Sequence, residues 1–321
     1  MICIFCLKDR TPSQEHVFPS AIGGKLEINR VCLPCNNWLG SNVDALLTDH
    51  DLIMLTRANL GMRDSKGNVI NPWTKVFQTG NLANDPEQKV KLVPDAESGQ
   101  LVPQLIYKKL ISQASDNGDY SIQITIDSRQ KDEIGKIIQR ERKRNCMPPL
   151  SSDEIQTQVE TAKKSTKYVD KPEVVFSLQV DTMNYFRAIC KIAYELAWLW
   201  LGDKYLDDPV AALLREVVLK DSKHTIKGKV EIGIVEPLNL WNREPNAHIG
   251  FSKPSGNSIT ISIRIFDAIS AIVVVSESKD KYPNYCDSSQ SGGFILNDPL
   301  TGASRHSSLT EELLRMTTHT R

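Results

Sequence analysis

Two Cys-x-x-Cys pairs, Cys3 with Cys6 and Cys32 with Cys35, stand within the first 35 residues and take up four of the seven cysteines of the 321-residue chain. Each pair can form a knuckle whose backbone amides approach the sulfurs, and two knuckles together supply four thiolates in a tetrahedral array. That donor set suits Zn2+ and leaves no open coordination position, so a metal held there is structural and any chemistry must lie elsewhere. The bland alternative is two reduced, buried pairs, which this spacing disfavours. The 25 residues between Cys6 and Cys32 exceed the usual zinc-ribbon interval and leave room for a loop that carries more than a fold requires.

The rest of the composition sets bounds rather than a function. Apolar residues make up 40% and charged residues 24%, the balance of a globular protein with a sizeable core and room for two domains. Lys plus Arg equals Asp plus Glu at 39 each, so attraction to a polyanion has to come from local clustering. The first residues carry no basic start, apolar run or cleavage site of a secretory leader, which makes the cytoplasm the expected compartment. In a reducing compartment the cysteine pairs are metal ligands rather than disulfides. The most apolar helix, Phe186 to Leu201, is too short and too charged to cross a bilayer, and no membrane partner is expected.

Periodicity divides the chain into 1–62, 63–172 and 173–321. After Pro34, Trp38, Leu39, Val43, Leu46 and Leu47 recur at helical spacing, so the second Cys pair opens a helix, with Trp38 and Asp44 packing and capping it. Leu52 to Leu60 continues as a second helix. Short extended runs follow at Lys89 to Val93, Leu101 to Lys108 and Tyr120 to Ile126, the first two joined by a turn at Glu97-Ser98-Gly99. Arg129 to Arg144 reads as a helix stopped by Pro148-Pro149, Ser152 to Lys164 as another, and Lys163 to Pro172 as a linker. Beyond it lie a strand at Val174 to Val180 and an apolar core helix, Phe186 to Gly202, whose one polar stripe is Arg187, Lys191 and Glu195. A helix at Asp207 to Leu219 and strands at Ile226 to Val235, His248 to Ser252 and Ser258 to Ser276 follow. Ser308 and Glu311 have capping-box spacing ahead of a last helix.

Within the first segment, Glu15-His16 lies between the two Cys pairs, and Asn36 follows the second directly. An imidazole can take a proton from water near neutral pH, and a carboxylate with an amide oxygen makes a hard ligand pair for a divalent cation. Taken alone, a histidine in a loop is more often structural. The combined pattern, Cys-x-x-Cys, Glu15-His16-Val17-x-Pro19, Gly23-Gly24, then Cys-x-x-Cys-Asn36 with Gly40 and Asp44, resembles the zinc-containing branch of the HNH endonuclease superfamily. The resemblance spans residues 1 to 50. It implies a ββα-metal fold within a treble-clef zinc site, His16 as general base, and Glu15 and Asn36 as ligands of one catalytic Mg2+ or Mn2+. The family's middle Asn falls on Glu27 here, nine residues before the final ligand; Asn29, two residues later, is the candidate for its orienting role.

The expectation is therefore an α+β protein: a zinc-stabilised ββα-metal module followed by a larger mixed α+β region. Its implied activity is metal-assisted hydrolysis of DNA, with RNA open. Lys136, Arg140, Arg142, Lys143 and Arg144 could follow a phosphate backbone, although a solvated helix face explains them as well. Residues 173–321 carry no recognisable module and are compatible with DNA targeting, a homo-oligomer or control of cleavage, as in bacterial defence. The rival reading is a zinc-stabilised nucleic-acid or protein binding module without turnover.

Overall fold

The computed structural model describes all residues except 65–66, 96–98, 114–119, 170–171, 179–180, 223–225, 234–235, 242–243, 287–291 and 319–321. Its chain divides into two units: Met1–Ile70 with Val180–Arg321, and Asn71–Gln179. The first unit begins with β1 (Pro12–His16) and β2 (Glu27–Cys32), an antiparallel pair in which His16 faces Glu27 and a bulge separates Ser13 from Glu15. The loop between them closes on two glycines. Gly23 turns at φ +85°, and a Cβ on Gly24 would lie 1.8 Å from the Phe18 carbonyl oxygen, so no other residue fits without moving the backbone. Directly after Cys32, α1 (Leu33–Leu39) starts with Pro34 in its first turn, where no amide is required. It runs on through a π turn (Gly40–Asp44) into a last α-helical turn (Ala45–Thr48), and α2 (Asp51–Asn59) follows.

The second unit holds a sheet of order β5-β4-β3-β8, from β3 (Thr79–Leu82), β4 (Asp85–Pro94), β5 (Leu101–Leu105) and β8 (Val174–Val175). A separate hairpin joins β6 (Lys108–Gln113) to β7 (Tyr120–Thr125). β4 and β5 pair through Pro94 and Leu101. Of the expected turn between them, Glu97 and Ser98 lie outside the described residues. The basic helix is in two parts, a 3-10 stretch (Ser128–Glu133) capped by Asp127 and then α3 (Ile134–Arg144). α4 (Ser152–Thr161) opens on a complete Ser151/Glu154 capping box. Of the strand expected from Val174 to Val180, Val174–Val175 pair, and Gln179 and Val180 lie outside the described residues.

The first unit resumes with α5 (Phe186–Leu201) and α6 (Pro209–Lys220), which lie on a six-stranded antiparallel sheet of order β14-β13-β10-β11-β12-β9. Its strands are β9 (Val230–Ile232), β10 (His248–Ser255), β11 (Ser258–Ile265), β12 (Ile269–Ser276), β13 (Gly293–Asn297) and β14 (Ser304–Ser308). Alternation decides the two faces. Ile261, Ile263 and Val273 point into the core under α5 and α6, while Phe251, Phe294 and Leu296 meet Trp241 and Met316 of α7 (Leu309–Thr318) on the other. The Ser308/Glu311 capping box is formed. The main core is continuous: Ile4, Phe5, Phe18, Ile22, Leu39 and Val43 join Ala188, Ile192 and Leu196 of α5. The N-terminal ββα element and the sheet 250 residues further on are thus parts of one hydrophobic unit. No helix among the described residues is long and apolar enough to cross a membrane.

Candidate metal and catalytic site

The four cysteines come together. The Sγ atoms of Cys3, Cys6, Cys32 and Cys35 all lie within 4.8 Å of one another, and Cys6 and Cys32 are 3.8 Å apart. A tetrahedron of sulfurs each ~2.3 Å from zinc has edges of about 3.8 Å, so the cluster matches a four-thiolate zinc site. The Cys32 amide donates to Cys3 Sγ at 3.4 Å, a bond that ties the second Cys pair to the first. Burial tends to raise the Cys3 thiol, but amides of Cys6, Cys32 and Phe5 outweigh it and bring it below its ordinary value. Burial, then the neighbouring sulfurs, push Cys35 up. Four thiols this close cannot all ionise without a cation between them.

Beside the cluster, β1 and α1 face a cavity of about 210 Å³ lined by Glu15, His16, Ser20, Asn36, Gly40, Asp44 and Thr48. The helical contributions are spaced by four residues. At 100° per residue an α-helix would carry Asp44 roughly 80° round from Asn36. The wider π turn at Gly40–Asp44 advances each residue by less and keeps Asn36, Gly40 and Asp44 on one face. Asp44, expected to cap a helix, makes no capping bond and is instead a wall of this cavity. Trp38 does pack, under the Arg187 guanidinium at 5.4 Å.

Asn36, His16 and Glu15 each have a defined partner. Asn36 Nδ2 donates to the Gln14 carbonyl at 2.6 Å and Ser13 Oγ at 3.2 Å, which commits its nitrogen to β1 and leaves its oxygen as the ligand atom. His16, half-buried, has Nε2 3.2 Å from Glu27 Oε1, its cross-strand neighbour. Asn29 lies two residues further along β2, exposed, and makes no hydrogen bond to His16; Glu27 holds the imidazole. Glu15 is buried, with Oε1 2.5 Å from the ammonium of Lys191 on α5.

Lys191 is the residue that the sequence did not single out for the site. Its Nζ donates to the His16 carbonyl at 2.8 Å and is 3.1 Å from Asp44 Oδ1, with Glu195 Oε2 at 3.6 Å. Burial alone would lower its affinity for a proton, but Asp44, Glu195 and Glu15 outweigh that and keep the amine charged. Burial raises the carboxyls of Glu15, Asp44 and Glu195, and Lys191 draws all three back in part. The signal was present: Arg187, Lys191 and Glu195 form one stripe on an otherwise apolar helix. Periodicity gives such a stripe but not what covers it.

The loop from Val17 to Leu26 is held by the sheet. His248 Nε2 donates to the Ile22 carbonyl at 2.8 Å, and its ring stacks on Phe18. Asn297 accepts from the Lys25 amide at 2.6 Å and donates to the Gly23 carbonyl at 3.1 Å. Of the basic residues proposed for nucleic acid, Lys136, Arg140 and Lys143 are exposed on α3. Arg142 donates to the Pro148 carbonyl and Arg144 pairs with Glu141.

The ββα element thus places a four-thiolate cluster near a small cavity with carboxylate, imidazole and amide at its wall. Residues 3–52 match the family model described as HNH endonuclease, a span that contains the four cysteines, Glu15, His16, Asn36 and Asp44. The match is to a family of nucleases, which act on nucleic acid. No curated protein and no solved structure matches the chain.

Proposed function

We propose that the N-terminal module is a metal-dependent endonuclease that hydrolyses phosphodiester bonds of DNA. The observation that carries this reading is the convergence of Glu15, His16 and Asn36 on one cavity next to the thiolate cluster. In this reading Cys3, Cys6, Cys32 and Cys35 hold a structural Zn2+ in a treble-clef arrangement. The carboxylate of Glu15 and the amide oxygen of Asn36 are hard donors that fit Mg2+ or Mn2+. A divalent cation there supplies Lewis-acid stabilisation of charge on the phosphate and the leaving oxygen. Glu27 Oε1, 3.2 Å from His16 Nε2, is placed to hold the proton on that nitrogen and so would leave Nδ1 as the basic nitrogen, the one that takes a proton from the attacking water. Glu27, rather than Asn29, then performs the orienting role. Lys136, Arg140 and Lys143 are the α3 residues proposed to follow the phosphate backbone.

The test is cleavage of supercoiled plasmid by the full-length protein with Mg2+ or Mn2+, beside a His16→Ala variant shown to retain its zinc. Loss of the general base is expected to slow cleavage by about 10²–10⁴-fold. Equal cutting by the variant would remove His16 from the chemistry. A labelled RNA run in parallel separates the substrate classes. The Lys191 ammonium on Glu15 Oε1 is the one observation that favours the rival, a binding module without turnover. Binding of DNA with no cleavage under either metal would favour that rival.

A further inference from the structure

The ammonium of Lys191 has three N–H donors and three acceptor groups within 3.2 Å: Glu15 Oε1, the His16 carbonyl and the Asp44 carboxylate. It is 0% exposed, so it has no solvent into which to withdraw. Glu195, one helical turn along α5, is the second fully buried charged group on the same stripe. Buried ion pairs contribute little net stability compared with apolar side chains of the same volume, so stability alone is a poor reason for this cluster. Its position is informative: Glu15, His16 and Asp44, all three bound by the ammonium, line the cavity.

Resting on the reading that Glu15 and Asn36 hold a cation, we infer that Lys191 is a positioning residue for that cation site. By taking Glu15 Oε1 it leaves Oε2 as the ligand atom. By taking the His16 carbonyl it fixes the end of β1, and with it the peptide that carries both the ligand and the base. By holding Asp44 it sets a second carboxylate on the same wall. The geometry of the module is thereby fixed by a side chain 175 residues away in sequence.

The alternative role for the same ammonium is that of a competitor, a tethered cation that must leave before a metal can bind. Complete burial and a saturated donor set argue against it. The two roles predict opposite signs for metal affinity.

The experiment titrates zinc-loaded, full-length protein with Mn2+, with free Mn2+ followed by electron paramagnetic resonance. Wild type is expected to take up one Mn2+ and Glu15→Gln to take up none. Lys191→Met is expected to raise the Mn2+ Kd at least tenfold while keeping one zinc per chain. Tyr194→Phe, on the same helix as Lys191, is the structural control: it removes the hydrogen bond from Tyr194 to the Ile4 carbonyl of the first Cys knuckle without touching Glu15. It is expected to melt lower and to keep its Mn2+ Kd within twofold. Unchanged or tighter binding by Lys191→Met overturns the inference and leaves the metal-site reading standing, as does equal weakening by Tyr194→Phe. Absence of Mn2+ uptake by wild type overturns both.

Should Lys191→Met fail to fold, Lys191→Met/Glu195→Leu removes the second buried charge and stands in for it. A wild-type measurement is independent of either variant. The 15N ammonium resonance of Lys191 is expected to stay protected from solvent exchange when Mg2+ is added, and its loss to exchange would identify a displaced competitor.

Discussion

His248 ties the loop beside the candidate site to the sheet, and its burial makes that tie sensitive to acid. The ring is 0% exposed between Phe18 and Phe266, whose centroids lie 5.6 and 4.5 Å away. Nε2 donates to the Ile22 carbonyl and Nδ1 accepts from the Phe266 amide, so the neutral ring is fully used. Burial, opposed only in part by the Ile22 carbonyl, draws the imidazole down to about 4. An unfolded histidine titrates near ~6.5. A depressed folded value means that stability is fully present above pH ~6.5 and falls as pH drops toward 4. For this one group the linkage integral between pH 7.5 and 5.0 is about 2 kcal/mol. Glu15, Asp44 and Glu195, all raised by burial, act in the opposite direction, because the folded state binds their protons more tightly. The informative quantity is therefore the difference between wild type and His248→Gln, which keeps a donor near the Ile22 carbonyl and cannot titrate. Urea unfolding at pH 7.5 and 5.0, followed by tryptophan fluorescence, is expected to show wild type losing about 2 kcal/mol more than the variant over that interval. Parallel pH dependence in the two proteins would refute the argument, because it would mean that the folded state accepts the His248 proton without strain.

The remaining predictions concern the loop, the helix and the zinc. Gly24→Ala places a Cβ against the Phe18 carbonyl, and a loss of about 2 kcal/mol or more is expected in denaturant unfolding at neutral pH. Gly40 opens the π turn with helical backbone angles and has nothing within 4 Å of a Cβ, so Gly40→Ala is expected to raise stability by about 0.5–1 kcal/mol. Gly40→Phe instead fills the cavity and is expected to abolish plasmid cleavage in a protein that melts no lower than wild type. Cys35→Ser is expected to lose the zinc, read by metal analysis. Because the core is shared, it is also expected to lower the unfolding transition of the whole sheet-containing unit rather than a separate N-terminal step.

The parts of the site legible in sequence are those whose chemistry is local. Two Cys pairs announce a thiolate cluster because the knuckle is a short-range structure, and Glu15, His16 and Asn36 stand at fixed offsets from it. Apolar periodicity located α1, α2, α5 and α6, and the Ser308/Glu311 spacing located the start of α7. What was hidden depends on partners far along the chain. The Arg187, Lys191 and Glu195 stripe has the period of a solvated helix face, yet the latter two are fully buried because β1 and α1 lie over them. Asp44 looked like a capping residue because nothing local reveals a π turn. β13 was missed since Gly293 to Asn297 is buried on both faces and shows no alternation. Glu27 stood at the middle-Asn position, but only the register of β1 on β2 shows that its carboxylate meets His16.

These contacts change what the N-terminal module is. A ββα element of some fifty residues has little core of its own, and metal-stabilised modules of that size commonly depend on the ion for their fold. Here the element has a second source of order. α5 supplies Lys191 under Glu15 and His16 and Tyr194 under Ile4, while β10 and β13 supply His248 and Asn297 to the Gly23 loop. The His16 end of β1, the loop after it and the first Cys knuckle are thus fixed from outside the element, and the thiolate cluster stands at the start of α1. A candidate ligand on β1 and another on α1 are then held by two anchors, one thiolate and one ammonium, both in contact with α5. Movement of α5 would therefore act on both anchors, through Lys191 on Glu15 and His16 and through Tyr194 on the Ile4 carbonyl between Cys3 and Cys6.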